Sequence, residues 1–479
     1  MGKYFGTDGV RGVANKELTP ELAFKLGRYG GYVLAHNEGE KHPRVLVGRD
    51  TRVSGEMLES ALIAGLASIG AEVMRLGVIS TPGVAYLTRE MGAQLGVMIS
   101  ASHNPVADNG IKFFGADGFK LSDKQEEEIE QLLDQEQPDL PRPAGKDILH
   151  FSDYYEGAQK YLSYLKSTID INLDGLKITL DGANGSTSSL APFLFGDLEA
   201  TTVTIGCNPD GYNINDECGS THPEHLAEKV VETESDFGLA FDGDADRLGV
   251  VTKSGEIIYP DRLLALFASE ILKKHSGAVI CYDVKCTRLL EPWIRQRGGQ
   301  PLLSRTGHSH IKAAMKKNKA LLAGEMSGHL FFADRWPGFD DGIYAGARLL
   351  SILSRTEDAS KTLERLPKAF STPELTIALS YEGEGHALIK RLQQTAKFNQ
   401  AQQVVTIDGL RVEYTDGFAL IRASNTVPAL VLRFEGDNRC SLQQIQKDFI
   451  KTVSPLLSEP LLNQLRVLIE SCSKKLKNT

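Results

Sequence analysis

Three carboxylates at alternate positions, Asp242, Asp244 and Asp246, follow the apolar run Gly238-Leu239-Ala240-Phe241. Like charges this close repel unless a cation lies among them, and an all-oxygen set suits a hard ion such as Mg²⁺. An EF-hand loop also opens D-x-D-x-D. Its sixth position needs Gly and here holds Arg247; its twelfth needs Glu and holds Lys253. A solvated acidic turn is the other reading, and the apolar run upstream weighs against it. Ser102 lies in Ile99-Ser100-Ala101-Ser102-His103-Asn104-Pro105, again just after an apolar run. The segment lacks G-x-S-x-G, which argues against acyl transfer. A Ser beside His103, with a metal site at the same sheet edge, suits phosphoryl transfer with Ser as carrier. Taken alone, the same residues also make a capped turn. Arg422-Ala423-Ser424-Asn425-Thr426 offers a guanidinium, hydroxyls, an amide and backbone N–H groups, the parts of a phosphate cradle. Gly324-Glu325-Met326-Ser327-Gly328-His329 mixes carboxylate, hydroxyl and imidazole, which suits sugar hydroxyls that both donate and accept.

Each cluster ends a recurring unit. From Arg44 onward a short β-rich run meets a Gly/Asp/Ser turn and then an amphipathic stretch, as in Val45-Leu46-Val47 before Gly48-Arg49-Asp50 and a helix through Leu58, Ile63, Leu66 and Ile69. Lys177–Leu180 before Asp181-Gly182-Ala183-Asn184-Gly185 repeats the pattern. Such alternation predicts βαβ units with parallel or mixed sheets, whose ligands bind beyond the carboxyl ends of the strands. The acidic stretch Glu126 to Glu136, running into Pro138, Pro141 and Pro143, reads as a solvated helix face and linker. After Ser371-Thr372-Pro373 the chain changes to short strands at Leu375–Ala378, 404–407, 410–412, 419–421 and 430–433, which read as antiparallel.

The 479 residues suggest three or four domains. With 53 Lys+Arg against 62 Asp+Glu, the net charge of −9 argues against a nucleic-acid or anionic-membrane binder. An anionic substrate must then meet a local cluster of positive groups. Six scattered cysteines (Cys207, Cys218, Cys281, Cys286, Cys440, Cys472) form no C-x-x-C pair, which fits reduced thiols. The first residues carry no apolar signal core and no run of 18 apolar residues occurs, so a soluble, cytoplasmic protein is expected.

Taken together, the four loops resemble the α-D-phosphohexomutase superfamily over nearly the whole chain. The resemblance implies a heart-shaped α/β protein of four domains around one cleft: three related mixed-sheet α/β domains and a C-terminal α+β domain. The expected divisions are 1–153 with the phosphoserine loop, 154–256 with the metal loop, 257–370 with the sugar loop, 371–455 with the phosphate loop, and a helical tail at 456–479. It further implies that Ser102 is the phosphoserine and a ligand, with Asp242, Asp244 and Asp246, of one Mg²⁺ per chain. Lys112, in Asn109-Gly110-Ile111-Lys112, matches an acid/base lysine, and Arg11, in Gly6-Thr7-Asp8-Gly9-Val10-Arg11-Gly12, an active-site arginine; His103 joins this catalytic set. Substrate would be held by Arg247, Lys285, His308, Glu325, Ser327 and His329, and its distant phosphate by Arg422, Ser424, Asn425 and Thr426. The reaction implied passes through a hexose 1,6-bisphosphate that also serves as activator. The partner implied is a phosphosugar, with the protein a monomer or weak homodimer.

The two halves resemble different branches. The GTDGVRG start, 96–114 and 213–224 are similar to bacterial phosphoglucosamine mutases. Asp283–Arg288, Thr306–Lys312, Gly324–His329, Gly338–Gly342 and Arg422–Pro428 are similar to bacterial phosphomannomutase/phosphoglucomutases. Phosphoglucosamine mutases usually carry GEQSGH and RPSGTEP, and this chain carries neither. It reads as a divergent member or a fusion of two relatives, expected to act on glucose or mannose phosphates, with glucosamine phosphate as the alternative. An inactive sugar-phosphate-binding protein would be expected to have lost Ser102, a metal carboxylate or Lys112, and none is lost.

Overall fold

Strands Leu95–Ile99 and Phe237–Phe241 are buried at every residue. Continuous rather than alternating burial is what a strand covered on both faces requires. In the computed structural model, which describes residues 2–475 except 7, 40, 137, 170, 382 and 426, each is an inner strand of a mixed sheet. The first sheet runs Val10–Val13, Asp108–Gly115, Leu95–Ile99, Arg44–Arg49, Glu72–Val78, Phe151–Asp153. Its first three strands are antiparallel and the rest parallel. The second runs Ile257–Ile258, Leu248–Thr252, Phe237–Phe241, Lys177–Asp181, Thr201–Ile205, parallel at its last three.

The chain divides into two compact units, Met1–Leu263 with Ser327–Arg365, and Leu264–Met326 with Leu366–Thr479. The first contains both sheets above. Val45, Val47, Leu95 and Val97 from its strands and Leu58, Leu62 and Leu66 from helix Ser54–Ala67 share one core. In the second unit, Val279–Asp283 lies between Gln300–Ser304 and Leu322–Gly324, all parallel. The same unit holds an antiparallel sheet of Ala429–Gly436, Gly417–Ala423, Leu410–Tyr414 and Gln403–Val405, with Leu375–Ala378 and Phe370–Ser371 both on Ala429–Gly436. Val284, Phe418 and Leu420 join the two sheets. Over the Phe418 ring, Arg411 donates to the carbonyls of Val284 (2.6 Å) and Cys286 (2.7 Å), satisfying a turn that no strand partner reaches.

Two segments differ from the sequence reading. Helix Asp123–Leu133 is not merely a solvated face: Glu130 accepts the backbone N–H groups of Lys3, Tyr4 and Phe5, and half-buried Lys120 pairs with Glu126 at 3.0 Å. Periodicity shows that these positions are polar but not that a distant stretch needs acceptors. The last helix, Glu459–Lys475, is more than a tail, since Leu461, Leu465 and Ile469 enter the core of the second unit.

Candidate active site

Ser102 stands three residues beyond strand Leu95–Ile99, 2% exposed, with its backbone at φ 53°. Left-handed backbone is uncommon for a residue other than Gly and marks a turn that surrounding bonds impose. Those bonds are present. Ser100 Oγ accepts from Ser102 N at 2.9 Å, and Ser102 O accepts from both Arg52 Nη2 and Asn215 Nδ2 at 2.9 Å. Arg52 is held in turn by Asp50, which Ser100 Oγ also meets at 2.6 Å. The turn aims Ser102 Oγ at Asp242 Oδ2, 2.7 Å away, with His103 Nδ1 at 3.4 Å. Arg247, burial and Arg11 hold the His103 imidazole down at about 2, so it is neutral.

Asp242, Asp244 and Asp246 leave the end of Phe237–Phe241 on a tight turn with Ala245 at φ 69°. All three are buried, with one oxygen from each within 4.8 Å of the others. Burial, then mutual repulsion, pushes the Asp242 and Asp246 carboxyls well above the usual range. Among the described residues, Asp244 Oδ1 and Asp246 Oδ1 are buried and accept no hydrogen bond. Oxygens that are desolvated, without a hydrogen bond and converging fit a hard divalent cation: each costs stability until a cation repays it.

The other oxygen of Asp244 is fully used. It accepts from Thr81 Oγ1 at 2.6 Å and from Lys112 Nζ at 2.7 Å. Lys112, in strand Asp108–Gly115, also meets Asp8 Oδ2 at 2.9 Å, and Asp8 pairs with Arg11. Burial works against the Lys112 charge, but Asp244 and Asp8 outweigh it and hold the ammonium above its ordinary range. The same partnership holds Asp244 below the usual carboxylate range despite its burial. Arg247 closes the cluster: its Nε donates to His329 Nε2 at 3.1 Å and stands 3.7 Å from Asp242 Oδ2. Antiparallel bridging of Arg247 to His329 fixes that approach. Ser327, two residues before His329, is half-buried.

In the second unit, Lys285 pairs with Glu374 at 2.8 Å. Burial would lower its ammonium; Glu374, Asp283 and Glu325 together hold it raised. Glu325 is buried and accepts Gly307 N at 2.6 Å, while half-buried His308 starts helix His308–Asn318. Arg422, next to last in strand Gly417–Ala423, is almost entirely buried; Asp408 holds its Nε at 3.0 Å, and among the described residues its Nη2 meets no acceptor. A buried guanidinium with an unused donor suits a phosphate oxygen. Ser424 and Asn425 follow half-buried, with Asn425 Nδ2 3.5 Å from Thr306 O; Thr426 lies outside the described residues. The hexapeptide Gly324–His329 passes from the second unit to the first at Met326, so Glu325 belongs to one and Ser327 and His329 to the other.

Sequence reasoning missed the supporting residues: Asp8 and Thr81 around Lys112 and Asp244, Asp408 behind Arg422, Glu374 behind Lys285. Asp8 lay inside a quoted motif; the other three stand in stretches with no chemical signature. Family models for phosphoglucomutase/phosphomannomutase match alpha/beta/alpha domain I at residues 2–139, domain II at 159–255, domain III at 259–370 and the C-terminal domain at 379–452. Phosphoglucosamine mutase of Staphylococcus aureus strain JH9 is 58% identical over 439 residues, 91% of this chain and 94% of its own. A solved phosphoglucomutase/phosphomannomutase family protein from Burkholderia thailandensis is 40% identical at a TM-score of 0.84, covering 95% of this chain and 97% of its own. The Paramecium phosphoprotein pp63/parafusin, a phosphoglucomutase, shares the fold at a TM-score of 0.72 with 19% identity, covering 95% of both chains. Domain matches in this order, over nearly all of the sequence, leave one conclusion: the chain belongs to the α-D-phosphohexomutase superfamily and is an intramolecular phosphotransferase.

Proposed function

We propose that the chain interconverts hexose 6-phosphate and hexose 1-phosphate, with Ser102 as the phosphoryl carrier and a hexose 1,6-bisphosphate as intermediate and activator. The observation that carries this reading is Ser102 Oγ, turned by strained backbone to 2.7 Å from Asp242 within the carboxylate cluster. One Mg²⁺ per chain would be held by Asp242, Asp244, Asp246 and Ser102, and when bound supplies positive charge beside the transferring phosphoryl group. Lys112, kept protonated by Asp244 and Asp8, is the acid beside that group, with Arg11 and neutral His103 completing the set. Arg247, Lys285, His308, Glu325, Ser327 and His329 hold the sugar, and Arg422, Ser424, Asn425 and Thr426 hold the phosphate that is not reacting. We divide the chain at 1–153, 154–256, 257–370 and 371–455, with a terminal segment 456–479 whose helix Glu459–Lys475 packs into the second unit. The reading extends to a cytoplasmic monomer or weak homodimer; among the described residues no helix is long and apolar enough to cross a membrane.

For the sugar, we favour glucose and mannose phosphates. Groups that handle phosphate cannot sense the substituent at C2; groups facing the ring must. Glu325, Lys285 and His308 stand in motifs similar to phosphomannomutase/phosphoglucomutases, without the GEQSGH of phosphoglucosamine mutases. A second reading, glucosamine 6-phosphate to glucosamine 1-phosphate, is favoured by the 58% identity to a phosphoglucosamine mutase. That figure averages 439 residues and does not weight the few that would meet the sugar. A coupled assay with Mg²⁺ and trace bisphosphate on the three hexose phosphates decides. We expect the higher kcat/KM on glucose or mannose phosphate; the reverse ranking installs the second reading.

A further inference from the structure

Asp408 stands in the turn between strands Gln403–Val405 and Leu410–Tyr414, and that turn is fixed without its side chain. Gly409, at φ 81°, lets the backbone press against the strand that carries Arg422. A Cβ there would stand 2.3 Å from Ile421 O and 2.6 Å from Arg422 Cβ. Gln393 Nε2 anchors the turn further, donating to Gly409 O at 2.8 Å. The Asp408 carboxylate is turned to other partners. Its Oδ2 accepts from Arg422 Nε at 3.0 Å and from Thr306 N at 2.9 Å, and both the Asp408 and Arg422 side chains are at least nine-tenths buried.

A carboxylate and a guanidinium commonly pair through two parallel bonds. Here the grip is single. Thr306 N–H shares the oxygen that meets Nε, and the neighbouring donor Nη2 is buried with no acceptor among the described residues. A two-bond pairing would use both donors and make Asp408 a rival of any anion that approached. One bond at Nε fixes the direction of the guanidinium and leaves Nη2 available.

The peptide that shares Asp408 is itself held from several sides, all within the second unit. Thr306 O faces Asn425 Nδ2 at 3.5 Å, and Thr306 Oγ1 donates to Asp283 Oδ2 at 2.9 Å. The next N–H, of Gly307, goes to Glu325 at 2.6 Å. We propose that Asp408 is a positioning residue: held by Thr306 N–H to a one-point grip on Nε, it aims Arg422 so that Nη2 meets the phosphate that is not reacting. It thereby ties that phosphate to the turn on which Glu325 also closes. The inference rests on the reading of Arg422 as a phosphate holder.

The test measures binding apart from turnover: titration calorimetry with glucose 6-phosphate and glucosamine 6-phosphate, beside the coupled assay, on the full chain. Asp408→Ala should raise Kd and KM about 10-fold while kcat changes less than about 3-fold, the mark of a contact made equally in ground and transition states. Asp408→Asn keeps an oxygen for both donors and loses the charge, and it should recover most of that loss. In an Arg422→Ala background, Asp408→Ala should add no more than about 2-fold, because its effect runs through Arg422. A folded Asp408→Ala that binds as well as or better than the parent overturns the proposal, since Asp408 would then be only a counter-charge. Absence of recovery in Asp408→Asn, or a further 10-fold loss in the Arg422→Ala background, overturns it too. If Asp408→Ala does not fold, Arg422→Lys decides. It keeps the cation without an Nε–H for Asp408, and unchanged Kd in that variant would sink the proposal. A parent that binds these phosphosugars and shows the expected shifts without turning them over would sink the mutase reading and leave the role of Asp408 standing.

Discussion

Ser102 combines a strained backbone with a short bond to a carboxylate, and the two have separable consequences. Replacing it with Ala removes one hydrogen bond, worth about 1 kcal/mol, while Arg52 and Asn215 still hold the carbonyl and the turn. Ser102→Ala should therefore melt within a few degrees of the parent. Its mutase activity should nonetheless fall by at least about 10³-fold, because the variant lacks the hydroxyl proposed to carry the group. Intact-mass measurement should find one phosphate on the parent and none on the variant; retention of half the activity would mean that the carrier is another residue. The residues proposed for the chemistry were legible because their types are unusual where they stand: three alternating carboxylates, a serine beside histidine. Glu374 and Asp408 were not. Each is an ordinary acid, and its meaning comes from a partner, Lys285 or Arg422, set only by folding.

Helix Gly342–Leu353 begins at Asp341, whose Oδ1 accepts Tyr344 N at 2.9 Å while Tyr161 OH donates to its Oδ2 at 2.7 Å. Burial, outweighing these bonds, raises its carboxyl to about 7. Between pH 4 and 7 the folded chain therefore keeps a proton that the unfolded chain releases. By linkage, this group's contribution to stability falls as pH rises through that window and levels off above it. A gap of roughly 3 units bounds the effect at about 4 kcal/mol. Asp341→Asn keeps the cap acceptor and removes the titration. Its melting temperature should vary less than the parent's between pH 4 and 7 and exceed the parent's at pH 8; parallel profiles would show that Asp341 does not titrate there. At this scale the strands were legible as apolar runs closed by turn residues. The partners of the acidic helix Asp123–Leu133 were not, since a polar face looks the same whether it meets water or, as here, the backbone of residues 3–5.

Neither compact unit is a continuous stretch of chain, so neither can be released by one cut. Truncation after Arg365 would leave 264–326 without Glu374 for Lys285, without Arg411 for the carbonyls of Val284 and Cys286, and without Glu435 for Thr287. Amide exchange across 279–304 should then lose its protection while 95–99 and 237–241 keep theirs; equal protection in both would mean that 264–326 folds without the C-terminal residues. The divided chain also bears on ancestry. The change of resemblance falls between the motifs at 213–224 and 283–288, yet Ser327–Arg365 returns to the first unit. A genealogical seam there would not follow a packing boundary but would pass through the interior of that unit. Contacts across it include Trp336 stacked on Tyr86 and set against Tyr161 and Tyr164, Tyr161 reaching Asp341, Gly342 N on Ala245 O, and Leu248 N on Gly328 O. A chimaera of two relatives joined near residue 256 would therefore have to preserve this aromatic cluster and these backbone pairs to keep the first unit packed.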